Sequence, residues 1–252
     1  MGGRGSNMRA SHGMRTAAQT PGQALVARLR ADPTALLQMT DSEALTAFQE
    51  IDARPIGQGE NDTFVQRYMD AIGWSEAMPT VLRPSAFMQA RQAIGAGNMY
   101  HADKDYQGTS GAAFNRQYMT GNRGYSSNGI YGAGTYWASR SASSSAGYGS
   151  HQIKGFMNQN ARAVTNRQLR VMVNNFKNSH PKAAAFLTSN RKVGYGGSNE
   201  ILHPIIAAAN GYNTILAHNS TQRRAYIVTL NRSATTVCSQ TNDNARPGMR
   251  NW

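Results

Sequence analysis

The chain has 252 residues, 40% of them hydrophobic, a formal net charge of +13 and a single cysteine. That length suits one domain with an appendage, or two small ones, and the lone Cys238 excludes both a disulfide framework and a Cys-rich zinc site. No apolar run approaches the roughly 18 residues of a membrane span, and the N-terminus lacks the apolar core of a signal peptide, so the expected setting is cytoplasmic, with no membrane partner.

Charge divides the chain. Residues 1–105 carry 10 Lys/Arg against 11 Asp/Glu, whereas residues 106–252 carry 16 Lys/Arg against only Glu200 and Asp243. A half so poor in carboxylates attracts polyanions, so nucleic acid is the expected partner. An acidic inhibitor protein would suit the same charge.

Residues 1–20, rich in Gly, Ser and Arg, read as a disordered tail. From 21 to 95 the pattern is one of short helices. Leu25 and Leu29 share a face ended by Pro33, and Thr40-Asp-Ser-Glu43 forms a capping box before Leu45 and Phe48. Asn61 and Asp62 precede an amphipathic run (Phe64, Val65, Tyr68, Met69, Ile72) that Gly73 stops. Pro79 and Pro84 bracket an extended piece, and a helix from Ser85 ends at Gly95-Ala-Gly97. The segment carries no catalytic cluster and reads as a helical scaffold.

The basic part, 96–238, is expected to be β-rich. Asn98–Ala102 is a short strand, Ser110–Met119 a helix, and Gly121–Gly124 a loop. Gly129–Ala138 is a strand running into a short helix over 141–148, and His151–Phe156 is another strand. The longest helix expected is Thr165–Asn178, with Leu169, Met172 and Phe176 on one face. Pro181–Ser189 is a short helix and Gly194–Gly197 a loop. Asn199 caps a helix through Ala209 with Leu202, Ile205 and Ile206 inward and Gly211 as its stop. Tyr212–Ala217 and Arg224–Leu230 are β-rich. From Ser239 to the end the residues are polar and expected to be a flexible tail.

The chemistry-bearing stretch is Gly129-Ile-Tyr-Gly-Ala-Gly-Thr-Tyr-Trp-Ala-Ser with the small-residue run that follows. A tyrosine ending a strand, Tyr136, and one on the next helix, Tyr148, can hold a flat ring between them, each stacking contact adding about 0.5–1.5 kcal/mol beyond area burial. His101 is the histidine of the strand that precedes them. His151, His180, His203 and His218 have no metal-like spacing, and no metal is expected.

Taken together, Tyr100-His101-Ala102, Gly132-Ala-Gly-Thr-Tyr-Trp-Ala138, Ser145-Ala-Gly-Tyr148 and Ala225-Tyr-Ile-Val228 resemble, in order, motifs of the ADP-ribosyltransferase superfamily. The branch is the His-Tyr one, related to poly(ADP-ribose) polymerase and diphtheria-toxin-like domains. Tyr68 to Phe87, the Gly-Ile-Tyr-Gly-x-Gly strand, Ala-Ala-Asn-Gly-Tyr at 208–212 and Tyr-Ile-Val-x-Leu-Asn-Arg-Ser-Ala are similar to domains of phage and prophage origin. The resemblance spans roughly residues 60–236.

It implies an α+β fold, a split mixed/antiparallel β-sheet ADP-ribosyltransferase core with an N-terminal helical subdomain. It also implies NAD as donor substrate. His101 would donate to a hydroxyl of the nicotinamide-side ribose, beside Tyr100. The Ala102 main chain would clamp the carboxamide, Ser145 would add a hydroxyl, and Tyr136 and Tyr148 would sandwich the ring. Where the family places a catalytic glutamate the chain has Ala225, after Arg223 and Arg224. Gln222 is a neutral group that could orient an acceptor. Glu200, the one glutamate after residue 105, is the other candidate, although a carboxylate is also favourable at a helix N-terminus.

The implied activity is transfer of a single ADP-ribose by a toxin or phage-conflict effector. The acceptor would be nucleic acid, RNA before DNA, or protein, and an acidic antitoxin would restrain the enzyme. Arg116, Arg123, Tyr125 and Arg140, with Tyr106, Tyr118 and Tyr131, are the expected acceptor contacts, since rings and guanidinium groups stack on unpaired bases. An NAD glycohydrolase, or a non-catalytic phage structural or nucleic-acid-binding protein on the same fold, are the alternatives.

Overall fold

The computed structural model describes residues 19–53, 64–105, 110–121, 127–129, 132–139, 149–189, 201–219 and 224–244. Four helices come first: α1 (Pro21–Ala31), α2 (Asp41–Asp52), α3 (Phe64–Ala71) and α4 (Pro84–Ala93), with the short strand β1 (Thr80–Leu82) before α4. Their ends are written locally. Thr20 and Thr40 each accept the N–H of the third helical residue, and Gln23 and Glu43 return the bond to the cap main chain. Gly73, at φ 78°, lets the chain leave α3 in the left-handed region.

The remainder alternates strands with helices. In order these are β2 (Met99–Asp103), α5 (Gly111–Thr120), β3 (Ser127–Gly129), β4 (Gly132–Ser139), β5 (His151–Met157) and β6 (Ala163–Thr165). After them come α6 (Asn166–Ser179), α7 (Pro181–Ser189), α8 (Leu202–Ala209), β7 (Thr214–Asn219), β8 (Arg224–Thr229) and β9 (Thr235–Asn242). The strands make one mixed sheet in the order β1-β9-β5-β2-β4-β8-β7-β6, and β3 pairs with β4 outside that path. The β1–β9 and β6–β7 pairs are parallel and the others antiparallel. The fold is α+β, and among the described residues no helix is long and apolar enough to cross a membrane.

The main core joins the two halves of the chain. Leu29, Phe48 and Tyr68 of the N-terminal helices, with Leu36 of the short 3-10 helix Pro33–Gln38 between α1 and α2, pack in one cluster with Phe176, Ile205, Ile215 and Val228. The helical segment up to 95 and the sheet thus share one interior, and β1 of that segment completes the sheet beside β9. A smaller cluster of Met99, Tyr118, Trp137, Ile153 and Val237 fills the other face under α5.

Four local expectations are corrected. The single strand over 129–138 is two, since β3 pairs back on β4 through Gly129↔Gly132. The polar stretch from Ser239 is not a tail throughout: β9 runs to Asn242, pairing with β5 at Ile153↔Thr241 and Gln152↔Asn242. On α6 the buried stripe is Leu169, Val173 and Phe176, with Met172 at its margin, and β6 was not expected at all. The caps at Asn61, Asp62 and Asn199, the helix at 141–148 and the loop at 194–197 lie outside the described residues.

Candidate functional site: a histidine–aspartate pair where the sheet opens

β2 lies between β5 and β4. With β5 it pairs along its whole length, from Met99↔Gly155 to Asp103↔His151. With β4 it pairs only at Met99↔Ser139 and Tyr100↔Ala138. β4 meanwhile continues in register with β8, from Ala138↔Tyr226 to Thr135↔Thr229. The sheet therefore opens between β2 and β4 immediately after Tyr100, at His101.

His101 spans that opening. Its Nδ1 lies 2.7 Å from the Tyr136 carbonyl oxygen on β4 and its Nε2 3.1 Å from Asp103 Oδ2. A carbonyl only accepts, so Nδ1 carries hydrogen, and Nε2 is the ring nitrogen that faces the carboxyl group. The geometry is that of a hydrogen-bonded histidine–aspartate pair whose side chains are 7% and 15% exposed. The pairing follows from strand geometry, since residues two apart in a strand project from the same face. Trp137 backs the ring at 5.6 Å between centroids, and Tyr118 packs edge-on against Trp137 at 5.7 Å.

A second pair adjoins the first. His151, the register partner of Asp103, has Nε2 3.0 Å from Asp105 Oδ1 and Nδ1 3.3 Å from Asp243 Oδ1. Asp105 Oδ1 also accepts the Gly111 N–H at the start of α5. The last four carboxylates in the chain are Asp103, Asp105, Glu200 and Asp243. Three of them thus collect on two histidines at one end of the sheet. The main chain there is tightly packed: a Cβ at Gly111 would lie 2.6 Å from the Asp103 carbonyl oxygen, and one at Gly149 2.1 Å from it. Among the described residues no group of three or more His, Cys, Asp or Glu is placed to hold a metal ion.

The other expected residues divide as follows. Tyr136 is brought to His101 through its carbonyl; its half-buried side chain packs against the main core, on the face opposite Trp137. Ala102 is 8% exposed and pairs with Gln152 of β5, beyond the end of the β2–β4 ladder. Tyr100 is fully buried, on the face opposite His101, with Asn98 Nδ2 3.4 Å from its hydroxyl, and burial raises its phenol above the ordinary range. Arg116 is exposed on α5. Tyr118 is not a stacking surface for bases: it is 3% exposed, its hydroxyl is 3.0 Å from Thr235 Oγ1, and burial pushes its phenol upward. Ala225 lies on β8 as the register partner of His218. Arg123, Tyr125, Arg140, Ser145, Tyr148, Glu200 and Gln222, with Tyr106 and Tyr131, lie outside the described residues.

Sequence reasoning missed Asp103 and the Asp105–His151–Asp243 group. The His-x-Asp spacing on β2 was the available signal.

No protein-family model and no curated protein matches the chain. A crystal structure of an anti-CRISPR protein aligns over 56% of this chain and 95% of its own, at 12% identity and a TM-score of 0.31, a likeness too slight to bear on fold or activity.

Proposed function

We propose that the protein is an NAD-dependent mono-ADP-ribosyltransferase acting at the opening between β2 and β4. One observation carries the reading: β2, β4 and β8, the strands whose sequences resemble the family's histidine, tyrosine and glutamate strands, lie side by side in that order. The sheet opens beside His101 itself. In this reading NAD enters there, with its nicotinamide-side ribose at His101 and its carboxamide at the Ala102 main chain beyond the β4 ladder. Transfer breaks the C1′–N bond with its electron pair going to the nicotinamide nitrogen. It forms a new bond from C1′ to an acceptor oxygen or nitrogen, whose proton is released. Groups that stabilise the positive ribose as it forms raise the rate, whereas equal binding of substrate and transition state does not.

The acceptor we favour is nucleic acid, RNA before DNA. The support is charge: beyond residue 105 the chain carries 16 Lys/Arg, Arg116 is exposed on α5, and the described carboxylate of that half, Asp243, is engaged by His151. An acidic antitoxin is the inhibitor that this charge would suit.

The test is incubation of the purified protein with labelled NAD and, separately, total RNA, DNA and cell lysate. Label on RNA that is lost in His101→Ala is the expected result. Label confined to protein would move the acceptor to a side chain. Nicotinamide release without label would make the enzyme a glycohydrolase. Polyanion binding without NAD cleavage would leave a non-catalytic nucleic-acid-binding protein.

A further inference from the structure

The family-like site has no carboxylate on β8, where Ala225 stands, and Arg224 is its neighbour. A cationic transition state without an anion nearby would be poorly served. The structure places a carboxylate elsewhere, on β2. Asp103 lies two residues beyond His101 on the same strand face, with Oδ2 3.1 Å from Nε2, at the edge where β4 has left the ladder.

We infer that His101 and Asp103 form a hydroxyl-reading pair and that Asp103 supplies the anion of the site; this rests on the NAD reading above. His101 is pinned from one side, since its Nδ1–H is held by the Tyr136 carbonyl at 2.7 Å. Only Nε2 remains to meet a substrate, and it already faces an acceptor. A ribose hydroxyl is both acceptor and donor. It can therefore enter between the two groups, taking the Nε2–H of His101 and giving its own hydrogen to Asp103. The exchange keeps both partners hydrogen-bonded, which a group that only donates or only accepts could not do.

The pair also suits the chemistry. When the C1′–N bond breaks, its electrons neutralise the pyridinium and the ribose becomes positive. The Asp103 carboxylate, held by His101 and reaching the same sugar through a hydroxyl, gains attraction as the positive charge moves from the pyridinium ring onto that sugar, and only this gain raises kcat. Asp103 stays ionised throughout; the proton released on bond formation comes from the acceptor and leaves with solvent.

The test uses the full chain, with Asp103→Asn, NAD, and NAD analogues lacking the 2′- or the 3′-hydroxyl of the nicotinamide-side ribose. Asn keeps the size and can still accept from Nε2–H, but lacks the charge. For nicotinamide release from NAD, kcat is expected to fall at least about 100-fold, with KM moving less than about threefold. On the analogue lacking the bridging hydroxyl the same substitution is expected to have little further effect. A structural role for Asp103 would lower the rate equally on all three substrates, and that result, or an unchanged kcat on NAD, would overturn the inference. A wild-type protein that neither binds nor cleaves NAD would overturn the functional reading and this inference together. Cleavage of NAD that is indifferent to Asp103 would overturn the inference alone. A further arm needs no substitution: in 15N-histidine-labelled wild-type protein NAD is expected to shift Nε2 of His101 and leave Nδ1 in place, and an unmoved Nε2 with NAD bound would sink the proposal.

Discussion

At the scale of single residues, the clearest conditional contribution comes from His203. It sits in α8, whose eight residues are all buried, and its Nδ1 has no hydrogen-bond partner among the described residues. Burial, then repulsion from Arg170 and Lys177 on α6, lowers its pKa to about 4. A base depressed in the folded state is held neutral there, so the unfolded chain takes up a proton first as pH falls. The stability that depends on neutral His203 is complete above about pH 6.5. It declines as pH drops towards 4, by roughly 3 kcal/mol in all. His203→Leu removes the titration while keeping an apolar fill. Urea unfolding at pH 4.5 and pH 7 is expected to show a wild-type loss of about 2–3 kcal/mol that the variant lacks. Equal losses in the two proteins would mean that His203 is charged or solvated in the fold.

At the scale of elements, what was legible in the sequence depended on how the element fills its buried face. Helices that bury Leu, Phe and Ile at helical spacing were read well. The capping box of α2 is legible as Thr40-Asp-Ser-Glu43, whereas those of α1 (Thr20, Gln23) and α6 (Thr165, Gln168), built on glutamine, emerge only in the structure. The strands were harder, because part of the sheet interior is threonine. Thr135, Thr229 and Thr214 are register partners across β4, β8 and β7, and all are buried. In β9 the buried residues include Thr235 and Thr236. Threonine has the β-branched shape that favours strands but scores as polar, so the Ser-Gln-Thr-Asn end of β9 read as a tail. The same limit hid the site's carboxylate: His101 was prominent beside the tyrosine motif, but Asp103 gains meaning only once β2 is known to bury the face they share.

Ending the chain after Cys238 removes the Thr241 and Asn242 pairs and the Asp243–His151 contact. Ending it after Asn244 keeps them. At about 1 kcal/mol per net hydrogen bond, the shorter protein is expected to lose about 2–4 kcal/mol relative to the longer one. Thermal melts of the two would check this, and matching midpoints would return residues 239–242 to the status of a tail.

At the scale of the whole molecule, net charge says less than where the cations stand. Arg232, 1% exposed, is spent inside, donating to the carbonyls of Tyr118, Ser75 and Gly121. Others are outside. α6 buries Leu169, Val173 and Phe176 and turns Arg167 and Arg170 to solvent. The helix contains no carboxylate, and among the described residues neither arginine has an ion pair. Arg116 is exposed on α5, the helix that covers the face carrying His101 and Trp137.

If RNA is the acceptor, its strand must pass the opening at His101, and Arg116 should belong to the footprint before α6 does. Counterion release separates the two surfaces. Each phosphate contact on a single strand contributes about 0.7 to the slope of log K against log salt. For a single-stranded RNA probe followed by fluorescence anisotropy across a KCl series, Arg116→Ala is expected to reduce that slope by about 0.7. The double variant Arg167→Ala, Arg170→Ala reduces it by about 1.4 only if the strand also runs along α6. A slope that Arg116→Ala leaves untouched would mean that RNA binds away from the opening, and the basic half would then serve docking or inhibition rather than delivery of an acceptor to the site.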